Sequence, residues 1–348
     1  MADIRVGVIG FGMAGKIFHT AVIAATPGLE LAAIVQRKGD EAAKAYPEAK
    51  IARSIEEMLE DESIRLVVVA TPSDAHFEHA KQCLEAGRNV VVDKPFTLTS
   101  AEARTLIDLA QEKKVLVTAY QSRRWDGDFV TLKQVIASGE LGKVVSYESH
   151  LDRYRAEPRL GAWRESGGAG GGILFDLGPH LIDQATVLFG DPVSVYADVR
   201  VERKDAVVDD AWDVLLRFPG GVTGLLRATL TAYAPGPRFV VHGTQGSFWK
   251  WGVDPQEDAL KAGGSYSDPG FGEEPASQWG ELTAVGKPPR RVETAAGDYR
   301  GLYANVRDAI LGVGELEVKP EQVWRTTRLT ELCRESSAEG RRIEYSPQ

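Results

Sequence analysis

Apolar residues in the first third of the chain come in short runs with little polar interruption. Ile4 to Ile9, Leu29 to Val35, Ile64 to Ala70 and Asn89 to Val92 are rich in β-branched residues, and Ala49 to Ala52 and Val115 to Ala119 are shorter runs of the same kind. Such runs mark strands covered on both faces. Helix-compatible segments separate them, and Ser54 stands as an N-cap before Ile55 to Leu59. Strand–helix alternation with no hairpin signal predicts a doubly wound parallel sheet of Rossmann type over residues 1–122.

Beyond Tyr120-Gln121-Ser122 the pattern changes. A helix is expected over Asp128 to Ser138, followed by period-two alternation in Val144 to Asp152, Val193 to Glu202, Ala211 to Phe218, Val222 to Thr231 and Phe239 to His242. Pro219-Gly220-Gly221 reads as a hairpin turn between two of these. The alternation predicts a mostly antiparallel sheet with one covered face. Helices or another subunit would cover the other face, so a homo-oligomer, dimer or tetramer, is expected. Trp249 to Phe271 reads as a long loop. Tyr299 to Leu311 and Glu321 to Ser336 read as helices, and Arg341 to Tyr345 as an edge strand. The fold class is thus α/β followed by α+β. Residues 1–122 form a nucleotide domain, and residues 123–348 a domain for substrate binding and oligomerisation, with a C-terminal helix able to pack back on the first.

The first strand runs into Gly10-Phe11-Gly12-Met13-Ala14-Gly15 and then a helix over Ala14 to Ala25. Strand, glycine turn and helix in that order are a dinucleotide fingerprint. Gly10 permits the tight turn, Gly12 lets backbone approach a pyrophosphate, and Gly15 lets the helix pack on the sheet. The helix N-terminus offers N–H groups to the phosphate. The second strand ends in Gln36-Arg37-Lys38, where an acid would select NAD by accepting from the ribose hydroxyls. Two cations there would instead attract a 2′-phosphate, so NADP is the expected cofactor, with NAD the alternative. Thr71-Pro72-Ser73 with His76, then Asp93, Lys94 and Gln121, follow the next strands at the same sheet edge and are assigned to the cofactor. His79 reads as an ordinary helix surface position.

Lys94 ends a central strand and is followed by Pro95, which restricts it to extended backbone. An ammonium beside a cofactor can hydrogen-bond a substrate oxygen and stabilise its developing charge. The second chemical stretch is Trp163-Arg164-Glu165 with the glycines up to Gly172, then Ile173 to Asp183. Asp176, His180 and Asp183 fall at i, i+4 and i+7, on one face of a helix otherwise rich in Ile, Leu and Phe. Polar groups in that setting need a reason. His180 would exchange the proton of a reacting hydroxyl, and Asp176 would orient it or hold a substrate hydroxyl.

Composition narrows the class. The chain has 348 residues and a formal net charge of −9, which argues against a nucleic-acid surface. It has two cysteines, Cys83 and Cys333, and no dense His/Cys cluster, so no metal is expected and a reducing compartment fits. Strand 1 begins at once, without a signal segment, and no apolar run is long enough to span a bilayer. A cytoplasmic protein acting on a small molecule is the expectation.

With GFGMAG, TPSDAH, DKPF and FDLGPHLID, the chain resembles the Gfo/Idh/MocA oxidoreductases over nearly its whole length. The resemblance implies that Lys94, Asp176 and His180 are catalytic and that Asp183 contacts substrate. Asp93 stands where that family usually has Glu. YQSRRWD and the stretch from Arg153-Tyr154-Arg155 to Trp163-Arg164-Glu165 look similar to an NADP-using branch that includes scyllo-inositol dehydrogenases. That implies substrate contacts for Arg123, Tyr154, Trp163 and Arg164. The expected reaction is hydride transfer between NADP(H) and a secondary alcohol or ketone of a sugar or polyol. Two other classes stand beside it: a non-catalytic NADP(H)-sensing regulator, and a glycosidase working by oxidation and elimination on a bound nicotinamide.

Overall fold

The computed structural model describes residues 3–159 and 161–346. It divides into two compact units. The first comprises Met1–Ser122, Glu257–Ser267 and Tyr299–Thr327; the second comprises Arg123–Gln256, Asp268–Asp298 and Arg328–Gln348. Two later segments, Glu257–Ser267 and Tyr299–Thr327, thus cluster with the nucleotide unit, so the boundary at residue 122 is crossed by more than a C-terminal helix.

In the first unit, strands β1 (Ile4–Ile9), β2 (Leu29–Val35), β3 (Lys50–Ala52), β4 (Ile64–Val69), β5 (Asn89–Val92) and β6 (Val117–Ala119) form a sheet in the order β3-β2-β1-β4-β5-β6. Every pairing is parallel. Val6, Val8, Ile34, Val67, Val68 and Val91 are sealed from solvent, as unbroken β-branched runs between two helical layers require. Each such side chain contributes about 1.5–3 kcal/mol by burial. The order reverses at β1, which lies between β2 and β4. Ligands of open α/β sheets bind in the crevice beyond such a reversal.

The helix after β1, α1, is wound as π over Gly15–Thr20 and continues as α over Ala21–Ala24. The helices α2 (Glu41–Ala45), α3 (Ile55–Leu59), α4 (His76–Glu85) and α5 (Ser100–Lys113) follow. Ser54 accepts from the Glu57 N–H to cap α3, and Thr99 with Glu102 forms a reciprocal capping box on α5.

The second unit begins with α6 (Gly127–Ala137) and β7 (Val144–His150) and continues through the helix α7 (Ile173–Phe189). Its strands β8 (Ser194–Arg200), β9 (Ala211–Arg217), β10 (Thr223–Thr229), β11 (Phe239–Gly243), β12 (Gly246–Lys250), β13 (Gly280–Ala284), β14 (Arg290–Val292) and β15 (Ile343–Glu344) join β7 in one sheet. The order is β14-β13-β12-β11-β7-β10-β9-β8-β15. All neighbours are antiparallel except β7 and β10. Leu174, Leu181 and Ala185 of α7 are sealed with Trp212, Leu216 and Leu226 of the sheet in one core. The region read as a loop from Trp249 to Phe271 differs: Trp249 lies inside β12, and Gln256–Lys261 is helical.

Candidate active site

The glycine turn separates what the protein needs from what a ligand needs. Gly10 has φ +100°, and a Cβ there would lie 2.6 Å from the Ala70 carbonyl oxygen; a Cβ on Gly15 would lie 2.0 Å from the Gly10 oxygen. Packing alone requires both glycines. Around Gly12 nothing lies within 4 Å of an added Cβ. That open cradle, with the N-terminus of α1 behind it, is what close approach of a pyrophosphate demands. The Lys16 N–H donates to the Gly12 oxygen at 2.9 Å, closing the turn. Ala14 is already helical, Met13 is exposed, and the Phe11 ring meets Tyr46 edge-on at 6.1 Å.

At the end of β2 the charged groups sort themselves. The Gln36 side chain turns back onto α2, donating to Glu41 and accepting from the Ala42 N–H. Asp40 pairs with Lys44 at 2.9 Å. Arg53 donates to the Gln36 and Gly39 oxygens at 2.9 and 2.8 Å, pinning the loop. Among the described residues, Arg37 and Lys38 make no hydrogen bond or ion pair with the protein, and both are exposed. The nearby acids are thus engaged while two cations stand open.

At the ends of β4 and β5, Ser73 is buried beside Pro72, and Gln121 is buried after β6. The His76 Nδ1 lies 2.7 Å from the Pro95 oxygen and its Nε2 lies 2.9 Å from the Thr71 oxygen. His79 is not merely surface: its Nδ1 lies 3.1 Å from the Thr71 hydroxyl. Lys94 is half-buried, and its peptide bond to Pro95 is cis. Its backbone N–H donates to the Asp93 carboxylate at 2.8 Å.

Burial alone would push the Asp93 carboxyl up. His19, through hydrogen bonding and charge, with Lys94 and His76 behind it, overrides this and brings it down to about 2. His19 is sealed, its Nε2 3.6 Å from Asp93 and its Nδ1 2.6 Å from the Tyr303 hydroxyl. Because the folded value lies below the unfolded one, the stabilisation is complete above pH ~4 and is lost as pH falls towards 2. The expected loss over that window is about 2 kcal/mol. Urea unfolding of the wild type and Asp93→Asn across it checks this: the stability gap between the two narrows as pH falls.

In the second unit, α7 starts at Gly172, with φ +90°, where a Cβ would strike the Asp209 carboxylate at 2.1 Å. Asp209 caps the helix from outside, accepting from the Leu174 N–H at 2.7 Å and pairing with Arg334 at 3.0 Å. Burial raises the Asp209 pKa above its ordinary value, against those hydrogen bonds. Asp176 is half-buried and lies 3.4 Å from the Arg164 Nε. The Arg164 guanidinium stacks over Trp163 at 4.6 Å. His180 is buried one turn further along α7.

Asp183 takes two hydrogen bonds from Arg124, from Nε at 2.7 Å and from Nη2 at 2.6 Å, and is 2 % exposed. Gln184 accepts from Arg238 at 2.7 Å and donates to the Arg123 oxygen at 2.9 Å. Arg123 is buried and pairs with Asp126 at 3.0 Å. Tyr154 is 54 % exposed and packs edge-on against Tyr233. Arg164 and Asp176 line a small cavity with Arg153, Arg155 and Arg203, whereas Tyr154 and Arg123 do not.

Sequence reasoning passed over His19, Tyr303, Asp209 and the pairing role of Arg124. Only Arg124 left a signal, its place beside Arg123 in the RRWD stretch. Among the described residues no group of three or more His, Cys, Asp or Glu could hold a metal, and no helix is long and apolar enough to cross a membrane.

A nucleotide-type sheet with an open glycine cradle, followed by a mixed sheet packed on an apolar helix that carries Asp176, His180 and Asp183, is the arrangement of a two-part NAD(P)-binding oxidoreductase. Residues 4–121 match the oxidoreductase family's NAD-binding Rossmann fold and residues 133–345 its C-terminal alpha/beta domain, so the chain belongs to the Gfo/Idh/MocA family. It is 42 % identical to the uncharacterized oxidoreductase YdgJ of Escherichia coli over 339 residues, 96 % of each chain. It is 36 % identical to the scyllo-inositol 2-dehydrogenase (NADP(+)) IolW of Bacillus subtilis over 343 residues, 98 % of this chain and 95 % of IolW. The structure of yvaA from Bacillus subtilis superposes with a TM-score of 0.95 at 36 % identity, covering 99 % of each chain. That of YPO2259 from Yersinia pestis gives 0.94 at 39 %, covering 100 % of this chain and 98 % of the other.

Proposed function

We propose that this protein transfers a hydride between NADP(H) and a secondary alcohol or ketone of a sugar or polyol, with scyllo-inositol the leading candidate. The observation that carries the cofactor half is the pair Arg37 and Lys38, open at the end of β2 while Asp40, Glu41 and Gln36 are engaged elsewhere. A guanidinium in that position suits a 2′-phosphate, and the carboxylates beside it, Asp40 and Glu41, are met by Lys44 and Gln36. The activity of IolW, a scyllo-inositol 2-dehydrogenase that uses NADP(+), supports both the cofactor and the substrate class. Arg37→Ala is expected to weaken NADPH binding roughly 10- to 100-fold and NADH binding hardly at all, read by fluorescence titration.

Gly10, Gly12 and Gly15, with the turn residues Phe11, Met13 and Ala14, form the pyrophosphate seat in this reading. Thr71 to Ser73, Asp93 and Gln121 shape the neighbouring edge, and the buried His76, with both ring nitrogens on backbone oxygens, supports it from within. The nicotinamide, when bound, supplies the hydride-accepting carbon. Lys94 holds the substrate oxygen and stabilises the charge that develops on it. His180 takes the hydroxyl proton during oxidation and returns it during reduction. Asp176 orients the imidazole or a substrate hydroxyl, with Arg164 beside it. Trp163 and Tyr154 offer aromatic faces to a sugar ring. Arg123 and Asp183 have their charges met inside the protein, so we assign them to positioning. A homo-oligomer remains our expectation, with Tyr196 and Trp249 exposed on strands of the second sheet.

Initial rates with NADP and with NAD across inositols and aldoses test the reading. NADP reduction by at least one polyol is the expected outcome. Product formed by elimination with no net NADP reduction would assign the glycosidase class instead.

A further inference from the structure

We propose that His76 is a positioning residue held as an imidazolium, whose two N–H groups tie the loop after β4 to the loop that carries Lys94, with Asp93 as its counter-ion. This rests on the reading of Lys94 as catalytic and adds what fixes it in place. The ring makes two polar contacts. Nδ1 lies 2.7 Å from the Pro95 oxygen, and Nε2 lies 2.9 Å from the Thr71 oxygen. A backbone carbonyl only accepts, so each nitrogen must donate. A neutral imidazole has one N–H, and its other nitrogen would set a lone pair against a carbonyl oxygen. Turning the ring over would replace both nitrogens with carbons and lose both bonds. The arrangement is satisfied by the doubly protonated ring alone.

The surroundings pull in both directions. His76 is 1 % exposed, so water cannot substitute for either bond. Burial is the largest influence and, with His19, holds the pKa of the ring below its ordinary value against the Asp93 carboxylate and the two carbonyls, so the second proton is inferred from the two acceptors at hydrogen-bond distance. Asp93 is held ionised, with His19 on one side and the Lys94 backbone N–H donating to it at 2.8 Å. The other charged groups facing this cluster are Lys94 itself and His79. Charge-assisted hydrogen bonds are the strong ones, and these two end on carbonyls of Thr71 and of the residue next to Lys94. The ring therefore braces the loops on both sides of the lysine's seat and touches no reacting atom in this account.

Nitrogen-15 NMR of the full protein labelled at histidine tests the charge without any turnover. The chain has six histidines, and the resonances that vanish in His76→Gln are those of His76. At about pH 7, where a free imidazole is mostly neutral, both ring nitrogens of His76 should show protonated shifts and coupled protons. A single neutral tautomer at that pH would overturn the proposal, whether or not Lys94 proves catalytic. The positioning role is read from His76→Gln and His76→Asn. Both should lower kcat roughly tenfold or more while NADPH affinity, by fluorescence, changes less than about threefold. Equal losses in the two quantities would place His76 in the cofactor seat and overturn its role towards Lys94. Should neither variant fold, the wild-type signals at about pH 7 still decide: a doubly protonated ring that does not exchange with solvent is required, and its absence refutes the charge.

Discussion

Replacing Lys94 with alanine is expected to lower kcat by about 10²- to 10³-fold while NADPH binds with little change, because in the proposed reaction the ammonium acts on charge that develops only during turnover. The surrounding structure favours that split. Gly12 and the cations Arg37 and Lys38 lie in the loops after β1 and β2, whereas Lys94 lies in the loop after β5. Its backbone N–H is fixed to Asp93 at 2.8 Å and survives the substitution. Steady-state kinetics with the polyol that turns over fastest, alongside NADPH fluorescence titration, reads both quantities. A variant with near-wild-type kcat would remove Lys94 from the chemistry. One that lost NADPH affinity in proportion would make it a cofactor ligand instead.

The second large effect is on stability. Asp183→Ala is expected to destabilise the protein by about 3–5 kcal/mol, since it removes the carboxylate that meets the buried Arg124 guanidinium with two hydrogen bonds. Arg124 and Asp183 are 5 % and 2 % exposed and share two short hydrogen bonds. Neither partner alone finds water, and Gln184 next door is already committed to Arg238 and the Arg123 oxygen. Replacing both by apolar residues of similar volume, Arg124→Met with Asp183→Leu, is expected to recover most of the loss. Urea midpoints of the two single variants and the double one check this. A loss in the double variant equal to the sum of the two single losses would mean that the pair carries no coupling.

These two residues show where sequence reading works and where it stops. The face holding Asp176, His180 and Asp183 is visible from helical spacing alone, since it is local. What each carboxylate does is set from outside the helix: Arg124 comes from 59 residues earlier, and Asp209, which caps the helix start, from 35 residues later than Leu174. The same holds for Lys94. Its strand end is legible, but His19 meets Asp93 across the sheet edge, and Tyr303 meets His19 from 284 residues away. No local period records such pairs.

The parallel sheet was legible for a different reason. Helices cover both faces of β1, β2 and β4, so their runs are continuously apolar. The edge strand β14 and its neighbour β13 carry Glu281, Thr283, Arg290 and Arg291 on exposed positions, and they give no such signal. Likewise β7 and β10 pair in parallel within an otherwise antiparallel sheet, which alternation cannot express because it fixes the face of a strand and not its direction.

The central claim is direct hydride transfer from a polyol carbon to NADP. The measurement that tests it most directly follows the label from the best polyol of the rate panel, deuterated at its ring carbons, into NADPH. Deuterium at C4 of the nicotinamide, in step with NADPH formed, is the result this account predicts. NADPH formed without deuterium, or deuterium lost to water with no NADPH, would contradict it.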